Sequence, residues 1–340
     1  MLRAENKASK NNRIIFLIIV LFLIAIMVLS GLLMLWDGSN EKKDNICVIL
    51  NDSSSSRWTP FITGVNQAAK DYGVHVDIAT TGNFHSISEE KRAIDSNTAA
   101  GANGIIVDAV GNITTDFVSE ITAGMPVAFI NSDLTSGYTD NGNYSCISTD
   151  NYEIGRAIAN EILIDNENDL TGIKVGILTG NLDSLQMERR LEGFKEVVIE
   201  SGGEIVWESG DSATISNVIS YNQSRDKAEI IAAMNNDMLE TAVDYVLTFN
   251  EENTDKKADN IALYGEGCSD KNIYYLDKGI INSMIFPNEF TMGYESVYEV
   301  VYRLQNRQTS MENKQISFKV VNRDNMYDKE NQELLFPIVQ

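Results

Sequence analysis

The side chains that most often carry out chemistry are sparse in this sequence. It has two histidines, His75 in a strand-like run and His85 in a polar loop, and neither belongs to a His-Glu-x-x-His motif. The Gly-x-Ser-x-Gly and Gly-x-x-x-x-Gly-Lys-Ser/Thr motifs are also absent. Gly265 and Gly267 follow a strand-like run, but the third glycine of a dinucleotide site is missing. The sequence therefore predicts a protein that is not an enzyme.

The three cysteines, Cys47, Cys146 and Cys268, have no metal-ligand spacing such as Cys-x-x-Cys. Cys47 and Cys146 lie in apolar or strand-like runs, where a thiol usually behaves as a small buried hydrophobic group. We therefore expect no metal, no cofactor and no disulfide framework.

The net charge of the chain limits the kinds of partner that it can bind. The chain has 340 residues, a formal net charge of −22 and a sequence pI of about 4.4. A surface this acidic repels phosphate backbones, which disfavours nucleic-acid binding. The length suits two lobes better than one compact core.

A long uncharged run lies near the N-terminus. Ile14–Trp36 contains no charged side chain, and a helix of that length reaches roughly 34 Å, enough to cross a bilayer. The run is longer than the apolar core of a cleaved signal peptide, which is the alternative. Basic residues outnumber acidic ones before it, so the positive-inside rule places the short tail in the cytoplasm. We expect a cytoplasmic tail (1–13), a transmembrane helix (14–36), a linker (37–44) and an extracellular domain.

In the rest of the chain, apolar strand-like runs alternate with amphipathic helical segments. This pattern predicts an α/β protein with two doubly wound parallel-sheet lobes, whose ligand lies outside the carboxyl ends of the strands. Strands are predicted at Ile46–Leu50, Val74–Ala79, Gly104–Val107, Val127–Ile130, Lys174–Thr179, Glu204–Trp207, Tyr245–Phe249, Ile261–Tyr264 and Ile281–Phe286.

Several loop motifs occur in a consistent order along this domain. The most specific is Glu188–Phe194, with the sequence Glu-Arg-Arg-Leu-Glu-Gly-Phe. The others are Arg57–Gly64, Gly101–Val107, Pro126–Asn131 and Asp150-Asn151 followed by Gly155. In their order and spacing they resemble the type I periplasmic sugar-binding proteins, from about Asn45 to the C-terminus.

The resemblance implies two lobes joined by three crossover segments, with a cleft that closes on its ligand by hinge motion. It divides the domain into an N-terminal lobe (45–148 plus 287–313) and a C-terminal lobe (149–286 plus 314–340). Aromatic rings suit the C–H face of a sugar, and planar hydrogen-bonding groups suit its neighbouring hydroxyls.

By the same resemblance, Trp58 stacks on the sugar, and Arg190 and Asn250 bind its hydroxyls. The alternatives are core packing for Trp58, a surface ion pair with Glu192 or a neighbour for Arg190, and helix N-capping for Asn250. The full set of predicted ligand-binding residues is Arg57, Trp58, Asp108, Asn131, Asp133, Arg190, Asn250, Glu266 and Asn288.

The chain departs from the family pattern at three places. Glu266 stands where many members have aspartate, Asn131-Ser132-Asp133 replaces an acid–arginine pair, and Pro287-Asn288 replaces a glutamine. These departures leave the identity of the sugar open. The residues from Asn325 to Pro337 form an extra strand-like tail, which resembles anchored members that sit beside sensor histidine kinases.

The sequence thus predicts a membrane-anchored extracellular receptor that presents a sugar to a sensor kinase or a transporter. The alternatives are the substrate-binding component of an ABC sugar uptake system, or a receptor for a furanosyl signal or another small polar ligand. A transcription repressor is excluded, because the uncharged run occupies the position of its DNA-binding headpiece.

Overall fold

The computed structural model describes residues 18–31, 44–111, 114–122, 124–132, 142–180, 184–210, 215–252 and 261–336. The chain divides into two units, 1–43 and 44–340. Helix α1 (18–31) lies in the first unit, and its Ile, Leu and Phe side chains are exposed. No helix within the described ranges is both long and apolar enough to cross a membrane. The predicted span of 14–36 extends beyond α1 at both ends, into residues outside these ranges.

Short buried strands build the second unit. Ile46 and Val48 pack on one face of their sheet, and Cys47 and Ile49 pack on the other, as expected for strands covered on both sides. The strands are β1 (Asn45–Ile49), β2 (His75–Ile78), β3 (Gly104–Asp108), β4 (Val127–Ile130), β5 (Tyr144–Thr149), β6 (Lys174–Gly180), β7 (Glu204–Gly210), β8 (Ile230–Ala233), β9 (Ala262–Glu266), β10 (Ser283–Pro287), β11 (Lys314–Ile316) and β12 (Phe318–Asn322).

The strands form two six-stranded sheets, one in each lobe. The N-terminal sheet has the order β11-β5-β4-β3-β1-β2, and all its pairs are parallel. The C-terminal sheet has the order β12-β10-β9-β8-β6-β7, and only the β10–β12 pair is antiparallel. The carboxyl ends of the parallel strands therefore form one edge in each lobe, where the loops can hold a ligand.

Helices cover both faces of each sheet. Local caps fix several of their starts: Ser86, Asp150, Ser184, Ser269 and Asn288 each accept a hydrogen bond from a backbone N–H in the first turn. The helices are α2 (Thr59–Tyr72), α3 (Ile87–Ala99), α4 (Thr115–Thr122), α5 (Asn151–Asp165), α6 (Leu185–Glu200), α7 (Ile215–Arg225), α8 (Asn236–Glu252), α9 (Asp270–Asp277), α10 (Glu289–Gln305) and α11 (Lys329–Leu335).

One close helix pair in each lobe depends on glycine. In the N-terminal lobe, a Cβ at Gly64 or Gly293 would clash with backbone of the partner helix, α10 or α2. In the C-terminal lobe, Gly155 of α5 and Gly193 of α6 have the same relation to each other's helix. Both α5 and α10 directly follow a segment that crosses between the lobes, so these contacts fix the crossing segments to their lobes.

The chain passes between the sheets three times. It crosses from β5 into α5, returns from β10 into α10, and crosses again between β11 and β12. The lobe division expected from the sequence assigned residue 314 onward to the C-terminal lobe. That division is wrong at β11, which pairs with β5 in the N-terminal sheet, so the third crossing follows Ile316.

Two further predictions of local structure are wrong. Tyr245–Phe249 is not a strand but part of α8, because Leu239, Val243 and Val246 follow the helical period and pack into the core. The strand of that region is instead β8, a short buried run earlier in the chain. The C-terminal tail is also not strand-like over residues 325–336, because a turn and helix α11 follow β12.

Candidate ligand-binding site

A cavity of about 200 Å³ lies between the two lobes, at the carboxyl ends of their strands. Both lobes and the crossing segments supply its walls. The lining residues are Asn51, Arg57, Trp58, Asp108, Ala109, Val110, Gly111, Asn131, Thr149, Asn151, Ser184, Gln186, Met187, Arg190, Asn235, Glu266, Cys268, Pro287 and Glu289. The lobes also touch beside it, where the Cys268 thiol lies 3.5 Å from the backbone oxygen of Arg57.

The N-terminal lobe contributes an ion pair supported by an aromatic ring. Nη2 of Arg57 lies 3.1 Å from Oδ2 of Asp108, and the guanidinium lies over the Trp58 ring at 4.0 Å from its centroid. Trp58 donates its Nε1–H to the backbone oxygen of Asn51 and is 1% exposed. The guanidinium therefore covers a ring face, and the predicted stacking of Trp58 on a sugar requires Arg57 to move.

Asp108 is held at the end of β3 by several groups. Burial raises the pKa of its carboxyl above the ordinary value, although Arg57 and hydrogen bonds from the Asn131 side chain and the Asn51 backbone oppose that change. Asn131 has a positive φ of 50°, a conformation that asparagine adopts more readily than most residues. The predicted residues Arg57, Asp108 and Asn131 thus meet in one cluster.

The C-terminal lobe contributes a second ion pair, built around Arg190 of α6. Its Nη1 lies 3.1 Å from Oε2 of Glu266 and also donates to the backbone oxygen of Met234. Its Nη2 donates to Oδ1 of Asn151 at 2.6 Å. The buried Nε has no hydrogen-bond partner within the described residues. Arg190 is therefore held in place by contacts with three parts of the lobe, while its Nε–H has no partner among the described residues.

Asn250 lies in the last turn of α8, so the strand predicted before it is helix. Its side chain lies outside the described part of the structure, and its role in ligand binding stays a prediction. The asparagine that follows a C-terminal-lobe strand at the cavity is Asn235, whose Oδ1 accepts a hydrogen bond from the Met238 N–H at 2.9 Å. Asn235 therefore caps the start of α8, which is the role that had been the alternative for Asn250.

The two remaining predicted residues have different outcomes. Asn288 caps α10, with its Oδ1 accepting from the Thr291 N–H at 3.1 Å, and it is not among the residues that line the cavity. Its neighbours Pro287 and Glu289 line the cavity instead. Asp133 lies outside the described residues.

Sequence reasoning missed seven polar residues that line the cavity: Asn51, Thr149, Asn151, Ser184, Gln186, Asn235 and Glu289. Four of them stand two positions after the last residue of a strand: Asn51 after β1, Asn151 after β5, Asn235 after β8 and Glu289 after β10. A search for polar residues at that position would have found all four, provided that β5 and β8 had been recognised as strands.

The chemistry of the cavity is that of binding. Burial, together with nearby Glu289 and Glu266, raises the pKa of the Cys268 thiol well above its ordinary value, so the thiol stays protonated and is a poor nucleophile. Within the described ranges, no cluster of His, Cys, Asp and Glu could hold a metal ion. Paired guanidinium and carboxylate groups, with several amides, instead offer planar donors and acceptors to a small polar ligand.

The sequence matches the profile of the periplasmic binding protein domain over residues 46–308. The chain belongs to the periplasmic binding protein family. The resemblance to type I members drawn from the sequence is thereby confirmed, and the protein is a binding protein rather than an enzyme. No curated protein sequence matches this periplasmic binding protein.

Solved structures share its fold at low sequence identity. A carbohydrate-transporter solute-binding protein from Agrobacterium radiobacter, in complex with D-arabinose, has a TM-score of 0.74 and 19% identity, over 87% of this chain and 100% of that one. The glucose-galactose binding protein GanP from Geobacillus stearothermophilus has a TM-score of 0.69 and 21% identity, over 84% and 100%. The XylFII–LytSN complex has a TM-score of 0.68 and 20% identity, over 83% of this chain and 98% of that one.

Proposed function

We propose that this periplasmic binding protein is a membrane-anchored extracellular receptor whose two lobes close on a sugar. The observation that carries the proposal is the polar cavity between the lobes. Each lobe brings one arginine–carboxylate pair to it, Arg57–Asp108 from one side and Arg190–Glu266 from the other. A ligand that contacts both pairs stabilises the closed arrangement, which is how such a protein couples binding to shape.

The size and polarity of the cavity favour a monosaccharide. Its volume of about 200 Å³ is below the roughly 300–1,000 Å³ of pockets for drug-sized ligands, so an oligosaccharide or a peptide would not fit inside it. Neighbouring hydroxyls of a sugar can bridge a planar guanidinium or carboxylate, and the amides of Asn51, Asn151 and Asn235 can serve the remaining hydroxyls. Related folds bound to D-arabinose, and a glucose-galactose binding protein, support the same class of ligand.

Arg57 and Arg190 are the two residues that we expect to contact the ligand most directly. Trp58 supports the first by lying against its guanidinium, and Asn151 supports the second by accepting from Nη2.

The proposals of a membrane anchor and of a membrane partner start from the sequence. Ile14–Trp36 lacks charge and follows a basic tail, which favours an N-terminus in the cytoplasm and a binding domain outside. We propose that the occupied receptor acts on a membrane partner, either a sensor kinase or an ABC permease. The XylFII–LytSN complex supports a protein partner for a protein of this fold, and the D-arabinose complex of a carbohydrate transporter protein supports uptake. Co-purification from membranes with a permease but no kinase would decide against the sensory role.

Thermal unfolding with a panel of ligands tests the binding proposal. The Tm of the full chain in mild detergent is measured with and without each candidate ligand. The panel contains pentoses, hexoses, disaccharides, the furanosyl signalling molecule and nucleosides. A ligand at about 100 times its Kd adds roughly 2.7 kcal/mol and raises Tm by several degrees. A selective shift with one monosaccharide supports the proposal. A shift with the furanosyl signal supports that alternative, and shifts only with other small polar ligands exclude a sugar.

A further inference from the structure

The formal charges of the side chains that line the cavity do not sum to zero. Five are present: Arg57, Arg190, Asp108, Glu266 and Glu289. Arg57 is paired with Asp108 and Arg190 with Glu266, each at 3.1 Å. Glu289 forms no ion pair within the described residues. One carboxyl group therefore lines the cavity without a positive partner.

Glu289 is buried as well as unpaired. It is 5% exposed, and its Oε2 has no hydrogen-bond partner among the described residues. It is the first residue of α10, which directly follows the strand end at Pro287. A buried carboxyl group without a partner is costly, so the position is better explained by a ligand group than by stability.

The groups around Glu289 come from several elements. Burial raises the pKa of its carboxyl to about 8, and Glu266 at the end of β9 and Asp108 at the end of β3 act in the same direction. Arg57 and Arg190 act against them, as does the N-terminus of α10. The Cys268 thiol also lies within its electrostatic reach. Burial therefore favours a proton on Glu289 near neutral pH, and a ligand cation could take the place of that proton.

We propose that Glu289 selects sugars that carry a protonated amino group, with the ammonium pairing with its carboxylate. The inference rests on the proposed sugar-binding function and adds the class of sugar. A neutral hydroxyl could also contact this carboxyl group, but it brings no positive charge that could replace the proton on Glu289. An ammonium supplies both the donor and the charge, and binding then releases the proton of Glu289 to the buffer.

Calorimetric titration of the full chain in detergent, at about pH 6.5, tests this inference. The probes are 2-amino-, 3-amino- and 6-amino-hexoses, each beside its parent hexose and, for the 2-amino compounds, the uncharged N-acetyl derivative. We expect at least one amino sugar to bind about tenfold or more tighter than its parent. Titrations in two buffers of different ionisation enthalpy should show proton release for that amino sugar and none for the parent.

Glu289→Gln keeps the shape and removes the charge. It should bring the affinity ratio of amino sugar to parent close to one and abolish proton release. Glu295→Gln, on the same helix but away from the cavity, is the matched control and should keep the ratio. Equal affinities in the unmodified protein, or a ratio that survives in Glu289→Gln, would overturn the inference alone. Absence of binding by every sugar, amino or neutral, would overturn the sugar-binding function with it.

Discussion

Arg190 contacts three other parts of the binding site. Its guanidinium contacts Glu266, Asn151 and the backbone of Met234, and these contacts join α6 to β9, to the first crossing and to β8. We expect Arg190→Ala to weaken sugar binding by about 2–4 kcal/mol, because a buried donor is lost and its partners are left unpaired.

The neighbouring Arg189 provides a matched control for that variant. It is exposed on the same helix and does not line the cavity. Arg189→Ala should retain the affinity of the unmodified protein in the same calorimetric titration. Unchanged affinity in a folded Arg190→Ala variant would remove Arg190 from the site.

Glu90 of α3 predicts a pH dependence of stability. It is fully buried, its Oε2 accepts a hydrogen bond from the Val110 N–H at 3.3 Å, and its Oε1 has no partner in the described part of the chain. Burial raises the pKa of its carboxyl from 4.5 to about 8. The folded state thus holds a proton that the unfolded chain releases in this range. The free energy of unfolding should therefore fall as pH rises from about 4.5 to about 8.

Urea unfolding at about pH 5 and pH 8 measures that fall. Glu90→Gln cannot ionise and should reduce the difference between the two pH values, while Glu289 continues to contribute in the same direction. Glu200→Gln, exposed at the end of α6, should leave the difference unchanged. The prediction fails if the two variants give equal differences.

At the residue scale, the sequence located part of the site. Motif position identified Arg57, Asp108, Asn131, Arg190 and Glu266, which all line the cavity. It could not reveal that a guanidinium lies on the Trp58 ring, because that contact depends on side-chain packing rather than on spacing. The reason for choosing Asn250 was wrong, because the strand predicted before it is part of α8.

At the element scale, the close pairing of α5 with α6 positions Arg190. A Cβ on Gly155 would lie closer to the backbone oxygen of Arg190 than atoms in proteins approach, so Gly155→Ala must push the helices apart. We expect a loss of about 1–3 kcal/mol in stability, and weaker sugar binding, because Arg190 moves with its helix. Urea unfolding and calorimetric titration measure the two effects.

Gly124→Ala is the matched control for this substitution. A Cβ at that loop position meets no atom within 4 Å, and the residue does not line the cavity. Both stability and affinity should stay close to those of the unmodified protein. Equal effects of the two substitutions would show that the helix contact does not determine the position of Arg190.

The accuracy of the predicted elements follows their length and composition. Apolar runs such as β1, β4 and β6 were located to within a residue or so, because burial on both faces demands continuous apolar sequence. β11 has only three residues, and two of the four residues of β8 are alanine, which does not favour strands, so both runs carry little strand signal. The pairing of β11 with β5 is a long-range contact that no local pattern contains.

At the scale of the whole molecule, the cavity closes where Cys268 of one lobe meets Arg57 of the other. Cys268 is 4% exposed in this arrangement, so a thiol reagent can reach it only when the lobes separate. The sugar that raises Tm most should therefore slow the labelling of Cys268, because it stabilises the closed arrangement. Labelling followed by mass spectrometry measures the rate at this residue.

Cys47 lies in the core of the N-terminal lobe and provides an internal control. Its labelling requires unfolding of that lobe, so it should remain much slower than that of Cys268 in the absence of sugar. Equal labelling of Cys268 with and without a bound sugar would contradict closure by the two lobes.

The three crossings also have a consequence for synthesis on the ribosome. Neither lobe is a continuous piece of chain, because the N-terminal sheet is completed by β11 and the face of α2 around Phe61 is covered by α10. At about 5–20 residues per second, α10 emerges on the order of ten seconds or more after α2. During that interval the nascent N-terminal lobe exposes an apolar helix face and an unpaired edge of β5. Chaperone contact with the nascent chain is therefore expected to end only after residue 316 has left the exit tunnel.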